Sequence, residues 1–167
     1  MSVASLSRVS VAVALAFGLG LSACARNTAD DSSLSGAYGG PARGPGSIQE
    51  FTASVGDRVF FDTDVTDLNA ADQATLDKQA AWLNQYNRYA FTIEGHADER
   101  GTREYNFALG SRRAEAAKDY LIAKGVAASR IKTISYGKER PVAVCNDISC
   151  WSQNRRAVTV LAGAAGS

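Results

Sequence analysis

The sequence predicts an α/β fold, an α+β sandwich in which two main helices cover one face of a mixed four-stranded sheet. Three observations support this prediction. β-prone runs and helical periodicity alternate in the order β-α-β-α-β-β, with a loop before the last strand. The segment 51–167 is long enough for one domain with one core. Right-handed crossovers between strands place both helices on the same side of the sheet.

The first strand and the first helix occupy residues 58–87. Residues 58–61 are a short β-prone run, which ends at the turn-like segment 62–64. Asn69 is suited to cap a helix whose third position is the acidic Asp72. The side chains that then recur at helical spacing are Leu76, Ala80, Leu83 and either Tyr86 or Asn87.

The second strand and the second helix follow directly. Residues 89–94 alternate as a strand and stop at Gly95, and a helix begins at about Thr102. The predicted buried stripe of this helix is Phe107, Gly110, Ala114, Ala117 and Leu121. Gly125 is expected to end the helix. Residues 130–136 and 157–161 predict the last two strands.

The N-terminal residues predict an export signal and a lipid anchor. Arg8 precedes an uncharged apolar run that is too short for a membrane span, so residues 1–23 are interpreted as a signal peptide. The run ends in Leu-Ser-Ala followed by Cys24, which resembles the lipobox of bacterial lipoproteins and implies lipidation of Cys24. A plain secretory signal with an incidental cysteine is the alternative. Residues 24–50 are rich in Gly, Pro and Ser and predict a flexible tether before a domain at 51–167.

The charge balance argues against a nucleic-acid partner. Removal of Arg8 with the signal reduces the 18 basic residues to the number of acidic ones, which is 17. A broad electrostatic grip on nucleic acid requires a net basic face. Any ligand site must therefore depend on local charges.

Cys145 and Cys150 predict a disulfide. An exported chain reaches an oxidising compartment, where pairing is favoured over the alternative of two free thiols. A zinc site is not expected, because the only histidine, His96, lies far upstream and no other thiolate is available.

The charged segment 94–113 predicts a ligand site. Asp98 precedes the second helix and suits an ammonium group, whereas Arg113 offers a bidentate partner for a carboxylate. On a helical wheel Arg113 lies well off the stripe that contains Phe107, so we expect it to project from a flank of the helix. Together the two residues match a zwitterionic, amino-acid-like head group. The structural alternative is an Asp98–Arg113 or Glu99–Arg103 ion pair.

Motifs along the domain resemble one known family. The matching segments are 60–64, 94–102, 104–106, 109–110, 112–114, 135–139 and 154–158. In this order they are similar to the peptidoglycan-associated lipoproteins of the Tol–Pal envelope and cell-division system, whose globular part is an OmpA-like domain. The resemblance covers residues 50–162 and agrees with the lipobox and the tether.

The resemblance implies a site and its partners. Asp98 would take the ammonium and Arg113 the carboxylate of diaminopimelate in the peptidoglycan stem peptide. Arg100 and Leu109 would line the same cleft, and Thr63 and Asp64 would close its other side. Thr63 stands where many members of the family have an aromatic residue. The implied partners are peptidoglycan and TolB, and the implied location is the outer membrane, with the domain in the periplasm.

No enzyme or cofactor is predicted. His96 could serve as a base or a metal ligand, but no motif places a Ser or Cys nucleophile or further ligands beside it. We expect His96 to pack or hydrogen-bond at the end of its strand, and Arg155 and Arg156 to support a strand start. A protein-interaction module and a cell-wall hydrolase remain as alternatives to a cell-wall anchor.

Overall fold

The computed structural model describes residues 44–162. Its strands are β1 (Arg58–Phe60), β2 (Phe91–His96), β3 (Ile131–Gly137) and β4 (Arg156–Leu161). Its α-helices are α1 (Ile48–Glu50), α2 (Ala70–Gln85), α3 (Arg103–Ala123) and α4 (Ile148–Asn154). A π-helical turn at Phe51–Gly56 and a 3-10 turn at Ala128–Arg130 complete this part of the chain. The predicted signal peptide, Cys24 and the tether up to residue 43 lie outside the described residues.

The four strands form one mixed sheet in the order β1-β4-β2-β3. β2 and β3 are parallel and are connected through α3, whereas β4 is antiparallel to both β1 and β2. Within residues 44–162, the last strand is therefore inserted between the first two. This arrangement confirms the predicted mixed four-stranded sheet.

Both long helices cover the same face of the sheet. Thr159 pairs with Ile93, two residues before Gly95, so these positions face the same side. The Thr159 hydroxyl donates to Gln79 of α2 at 2.8 Å, and Gly95 meets Gly110 of α3. The predicted placement of two main helices on one face is confirmed.

Two glycines allow α3 to approach the sheet closely. A Cβ on Gly95 would overlap the carbonyl of Gly110, and a Cβ on Gly110 would lie 2.5 Å from the Ser135 hydroxyl oxygen. Only glycine fits where backbone meets backbone at this distance. The contact sets the height of α3 above β2 and β3, and with it the position of the side chains at the N-terminal end of α3.

The predicted cap of α2 is confirmed. The Asn69 side chain accepts hydrogen bonds from the backbone N–H groups of Ala71 and Asp72 at 2.8 and 3.1 Å. The Asp72 carboxylate in turn accepts from the Asn69 and Phe60 N–H groups, each at 3.1 Å. This capping box therefore also joins the start of α2 to β1.

The prediction for the buried face of α3 is wrong in two positions. Phe107, predicted in the buried stripe, has 58% of its surface exposed, whereas Arg113, predicted on a flank, is completely buried. The true inner face also contains Asn106 and Leu109. Asn106 and Arg113 are seven positions apart, two helical turns, so they lie on one face. A search for apolar periodicity misses this face because two of its members are polar.

Residues 46–50, which the sequence assigns to the tether, pack on the domain. The Glu50 carboxylate accepts hydrogen bonds from the Gly46 N–H at 2.7 Å and from the Trp82 indole at 2.9 Å. The Gly46 carbonyl accepts from Arg88 and from the Tyr89 hydroxyl. In the structure the packed part of the chain thus extends several residues toward the N-terminus from residue 51.

The structure joins Cys145 and Cys150 in a disulfide, with a Cα–Cα distance of 5.7 Å. The bond closes the loop between β3 and α4 and ties it to the first turn of α4. Between residues 44 and 162, no helix combines the length and the apolar character that a membrane crossing requires.

Candidate functional site

A cavity of about 190 Å³ opens between the loop after β1 and the N-terminal half of α3. It brings together all six residues that the sequence and its family resemblance singled out, namely Thr63, Asp64, Asp98, Arg100, Leu109 and Arg113. Four further residues line it, namely Gly101, Tyr105, Asn106 and Arg155. The cavity wall thus combines two carboxylates with three guanidinium groups.

Asp98 lies at the centre of the polar wall and is nearly buried, with 8% of its side chain exposed. Its Oδ1 accepts from the Arg100 backbone N–H and from the Arg100 Nε–H, each at 3.1 Å. Its Oδ2 accepts from Arg100 Nη2 at 2.7 Å and from Arg155 Nη1 at 3.3 Å. Burial alone raises the pKa of Asp98, but these hydrogen bonds outweigh it and hold the pKa below its usual range. Asp98 is therefore ionised at neutral pH.

Arg155 is a site residue that sequence reasoning missed. It was expected to support the start of the last strand, and its Nε–H does donate to the Phe61 carbonyl at 2.9 Å. Its guanidinium also faces the cavity and contacts Asp98. A signal was available, because successive residues along an extended chain point to opposite sides. Of the pair Arg155 and Arg156, one had to face the helix-covered side of the sheet.

Arg113 connects three backbone segments. Its Nε–H, Nη1–H and Nη2–H donate to the carbonyls of Val65, His96 and Asp62 at 3.0, 2.9 and 3.0 Å, respectively. The guanidinium also lies over the Phe61 ring, 5.1 Å from its centroid. Burial lowers the pKa of Arg113 to about 10, with a further contribution from Arg155, so it stays charged at neutral pH. Arg113 thus holds the loop after β1 against the end of β2 and also lines the cavity.

Neither ion pair of the structural alternative, Asp98–Arg113 or Glu99–Arg103, is present. Asp98 pairs with Arg100 and Arg155, as described above, and Arg103 pairs with Glu139 at 2.9 Å across the helix start. Arg113 donates its hydrogen bonds to backbone carbonyls and not to a carboxylate. The carboxylate and the guanidinium that were predicted to bind a zwitterion therefore line one cavity without neutralising each other directly.

Arg100 forms the mouth of the cavity. Besides Asp98, its Nη2 contacts the Thr63 hydroxyl at 3.2 Å, which bridges the two walls. Its guanidinium carbon lies 4.3 Å from the centroid of the Trp151 ring. The Trp151 indole in turn donates to the Glu99 carboxylate. With 41% of its side chain exposed, Arg100 is the most accessible partner of Asp98.

The opposite wall is built by Asp64 and Tyr105. The Tyr105 hydroxyl donates to Asp64 Oδ1 at 3.1 Å, and this bond raises the pKa of Tyr105. Asp64 has φ of 58°, a left-handed backbone conformation that is uncommon outside glycine. Asn106 holds the loop that carries Arg100, because its side-chain amide donates to the Arg100 carbonyl at 2.6 Å.

His96 is buried beside the site but takes part in no hydrogen bond with either ring nitrogen. It packs against the Tyr136 ring, with 5.6 Å between centroids. Burial lowers its pKa to about 3, and the nearby Arg156, Arg140 and Arg58 add to this effect. A neutral, enclosed imidazole matches the predicted packing role at the end of β2. Among residues 44–162 no cluster of His, Cys, Asp and Glu is arranged to hold a metal ion.

Groups of both charge signs line the cavity, so its chemistry suits a small group that carries both charges. The buried Asp98 presents a fixed negative charge, and Arg100, Arg113 and Arg155 present fixed positive charges around it. Of the five N–H groups of Arg113, three donate to carbonyls, so two are not used by these bonds.

Comparisons with known proteins find relatives that match nearly the whole chain. The family model of the OmpA family matches residues 60–155. A peptidoglycan-associated lipoprotein of Mesorhizobium japonicum is 61% identical over 163 residues, which covers 97% of each chain. One from Rhizobium meliloti is 60% identical and covers 96% of this chain and 92% of the relative.

Solved structures show the same fold. The crystal structure of the peptidoglycan-associated lipoprotein from Burkholderia pseudomallei aligns with a TM-score of 0.64 at 39% identity. The alignment covers 68% of this chain and 98% of that one. The C-terminal domain of Helicobacter pylori MotB aligns with a TM-score of 0.60 at 20% identity, covering 65% of this chain and 86% of that one, which shows a shared fold.

Proposed function

Because this chain belongs to the OmpA family and to its peptidoglycan-associated lipoproteins, we propose that it binds the diaminopimelate of the stem peptide non-covalently in the Asp98 cavity. The observation that carries the proposal is the convergence of a buried, ionised Asp98 with the guanidinium groups of Arg100 and Arg113 around one cavity. Diaminopimelate ends in a carbon that carries both an ammonium and a carboxylate. This end matches the two signs of charge in the cavity wall.

Each charged group has a separate role in this proposal. Asp98 accepts the ammonium, and its low pKa keeps it ionised in mildly acidic surroundings. Two N–H groups of Arg113 do not donate to backbone carbonyls, and these two donate to the carboxylate of the ligand. Arg155 donates a hydrogen bond to Asp98 and so holds the carboxylate in its orientation. Leu109 supplies an apolar wall for the methylene chain, and Thr63 and Asp64 close the far side.

A titration tests this function. Full-length protein in detergent is titrated with a diaminopimelate-containing stem peptide and with the same peptide carrying lysine in its place. Lysine keeps the ammonium but lacks the carboxylate beside it. We expect the lysine peptide to bind about tenfold more weakly or worse, since one charge-assisted hydrogen bond pair is lost. Equal binding of the two peptides would contradict the proposed role of the arginines.

Lipidation of Cys24 would place this domain on a membrane. A Cys24 anchor in the outer membrane and the tether after it let the domain reach the cell wall from the periplasmic side. Binding to the wall is then a mechanical link that needs no turnover. Chromatography of muropeptides after incubation with the protein checks for cleavage, and the expected result is an unchanged profile.

Exposed apolar side chains favour a protein partner as a second function. Phe107 on α3 and Ile148 on α4 are 58% and 57% exposed, and Val144 lies in the disulfide-closed loop with 88% exposed. These three side chains, on α3, on α4 and in the loop before α4, are the candidates for an interaction surface. We propose TolB of the Tol–Pal system as this partner. Pull-down of TolB by the parent and by a Phe107→Ser variant tests it, and equal recovery would contradict a role for Phe107.

A further inference from the structure

The acceptor positions of Asp98 are fully used in the structure. Oδ1 accepts from the N and Nε of Arg100, and Oδ2 accepts from Nη2 of Arg100 and Nη1 of Arg155. An ionised carboxylate offers about four lone-pair sites, so these four donors fill them. A ligand ammonium can reach Asp98 only when one of the donors leaves.

The side chain of Arg100 is the donor that can leave. Arg155 has 6% of its side chain exposed and is held by the Phe61 carbonyl, so its withdrawal would strand a buried charge. The Arg100 backbone N–H belongs to a loop that Asn106 pins at the Arg100 carbonyl. The Arg100 guanidinium, by contrast, is 41% exposed and sits at the mouth of the cavity.

Trp151 offers the Arg100 guanidinium a second partner that does not depend on Asp98. The guanidinium carbon lies 4.3 Å from the centroid of the Trp151 ring, within the range of a cation–π interaction. This contact depends on the position of the guanidinium charge over the ring, whereas the hydrogen bonds to Asp98 use the N–H groups. Arg100 can therefore give up the bonds to Asp98 and stay in contact with the ring.

The Trp151 ring is held firmly in place. Its indole N–H donates to the Glu99 carboxylate, in the same loop as Asp98. Trp151 directly follows Cys150, whose disulfide to Cys145 ties the first turn of α4 to the preceding loop. Asp147 caps that helix by accepting from the Ser149 N–H at 2.8 Å. The hydrogen bond of the indole and the two restraints on the start of α4 thus hold the ring beside the cavity.

From these contacts we propose that Trp151 is a positioning residue of the ligand site. It holds the Arg100 guanidinium at the cavity mouth while Arg100 exchanges Asp98 for the carboxylate of a ligand that bears an ammonium and a carboxylate on one carbon. The inference rests on the proposed function, since it concerns the same cavity. Without the ring, the Arg100 side chain that has left Asp98 would be disordered in solvent. Binding of the ligand would then have to order this side chain, at a cost in conformational entropy.

Affinity measurements on full-length protein in detergent test the inference. The probe is a diaminopimelate-containing stem peptide, and the variants are Trp151→Ala, Trp151→Phe and Gln153→Ala, the last being an exposed position on the same helix. We expect Trp151→Ala to weaken binding about three- to tenfold, the range of a cation–π contact. Trp151→Phe keeps an aromatic face but loses the indole N–H that donates to Glu99, so it should bind the peptide more tightly than Trp151→Ala does. Gln153→Ala should stay within about twofold of the parent.

An Arg100→Gln background separates positioning from a general structural effect. In that background Trp151→Ala should cause no further loss, because the residue that the ring positions is absent. A second readout is the NMR signal of the Arg100 Nε–H group in the parent protein. It should move when the peptide is added, as the guanidinium leaves Asp98, and it should also move in Trp151→Ala without peptide, since the ring current is removed.

Each outcome of these measurements supports or overturns the positioning role of Trp151. Unchanged or tighter binding by Trp151→Ala overturns the inference, as does an equal loss in the Arg100→Gln background or an Arg100 signal that the peptide leaves in place. If the parent protein itself does not bind the peptide, the proposed function fails, and the inference fails with it. A parent that binds together with variants that do not differ from it overturns the inference alone.

Discussion

Arg155 Nη1 lies 3.3 Å from Asp98 Oδ2, although the two residues are 57 positions apart in the chain. The contact exists because β4 is antiparallel to β2, so the start of β4 and the end of β2 meet at the same edge of the sheet. Both side chains are nearly buried, with 6% and 8% exposed. A buried guanidinium therefore keeps the Asp98 carboxylate charged and oriented before any ligand arrives.

The Asp98→Asn substitution should abolish the charge that receives the ammonium. We expect affinity for a diaminopimelate-containing stem peptide to fall about tenfold to a hundredfold, since a charge-assisted hydrogen bond is lost. Asp119→Asn, at an exposed position of α3, is the matched control and should bind like the parent. Titration calorimetry measures the affinities, and thermal unfolding checks that each variant is folded. A folded Asp98→Asn protein with parental affinity would remove Asp98 from the site.

The Arg113→Ala substitution should affect stability as well as binding. Three backbone carbonyls would lose their donor in a buried region, so we expect the free energy of unfolding to fall by about 3 kcal/mol or more. Arg112→Ala changes the exposed neighbouring arginine and should stay within about 0.5 kcal/mol of the parent. Chemical denaturation measures both. Equal stability of the two variants would mean that the Arg113 hydrogen bonds contribute little to the fold.

His96 should make stability depend on pH in the acidic range. Its pKa in the folded state is about 3, below the ordinary value of 6.5, so the unfolded chain binds the proton more readily. The stability contributed by the neutral imidazole is complete above pH 6.5 and is lost progressively as the pH falls toward 3. Glu94 Oε2, 3.7 Å from His96 Nε2, opposes the shift, but burial and three arginines outweigh it.

A His96→Phe variant isolates this effect. Denaturation at a series of pH values between 7.5 and 4 should show a smaller loss of stability for the variant than for the parent. Carboxylates titrate in both proteins and cancel in the comparison. Parallel curves for the two proteins would show that His96 takes up its proton in the folded state without penalty.

Gly95→Ala should destabilise the contact between α3 and the sheet. The new Cβ would overlap the Gly110 carbonyl, so helix and strand must separate, at a cost of about 3 kcal/mol. Gly44→Ala is the control, because a Cβ there meets nothing within 4 Å. Thermal unfolding compares the two. A Gly95→Ala protein as stable as the control would show that α3 can move away from β2 freely.

Cys24→Ser should release the protein from membranes without unfolding the domain. The lipobox resemblance assigns the lipid to Cys24, and acyl chains supply the anchoring free energy. Fractionation of wall-free membranes measures the distribution, and circular dichroism of the released protein checks its fold. Complete retention of the variant in the outer-membrane fraction would disprove the anchor.

Local sequence signals were reliable where local physics decides the structure. Asn69 and Asp72 form the expected capping box, and Gly125 adopts φ of 91° after the end of α3. Caps and helix ends depend on residues a few positions apart, so a sequence window contains all that they require. The ends of the strands differ from the predicted ones by a residue or two. For example, β2 spans Phe91–His96, whereas the sequence predicts residues 89–94.

The orientation of α3 was predicted wrongly because it depends on partners outside the helix. Phe107 is apolar yet exposed, and Arg113 is charged yet buried. Arg113 can be buried only because carbonyls of Asp62, Val65 and His96 converge on it. No periodicity within the helix carries that information.

By itself, the sequence determined the kinds of elements, their order, the mixed sheet under two helices, and the family motifs whose six residues line one cavity. Only the tertiary structure decided that β4 enters between β1 and β2, that Arg155 contacts Asp98, and that Arg100 lies over the Trp151 ring. The physical reason is the separation along the chain over which each interaction acts. Capping and periodicity act between neighbours in the chain, whereas buried charges are stabilised by partners that only the packed sheet and helices bring within hydrogen-bonding distance.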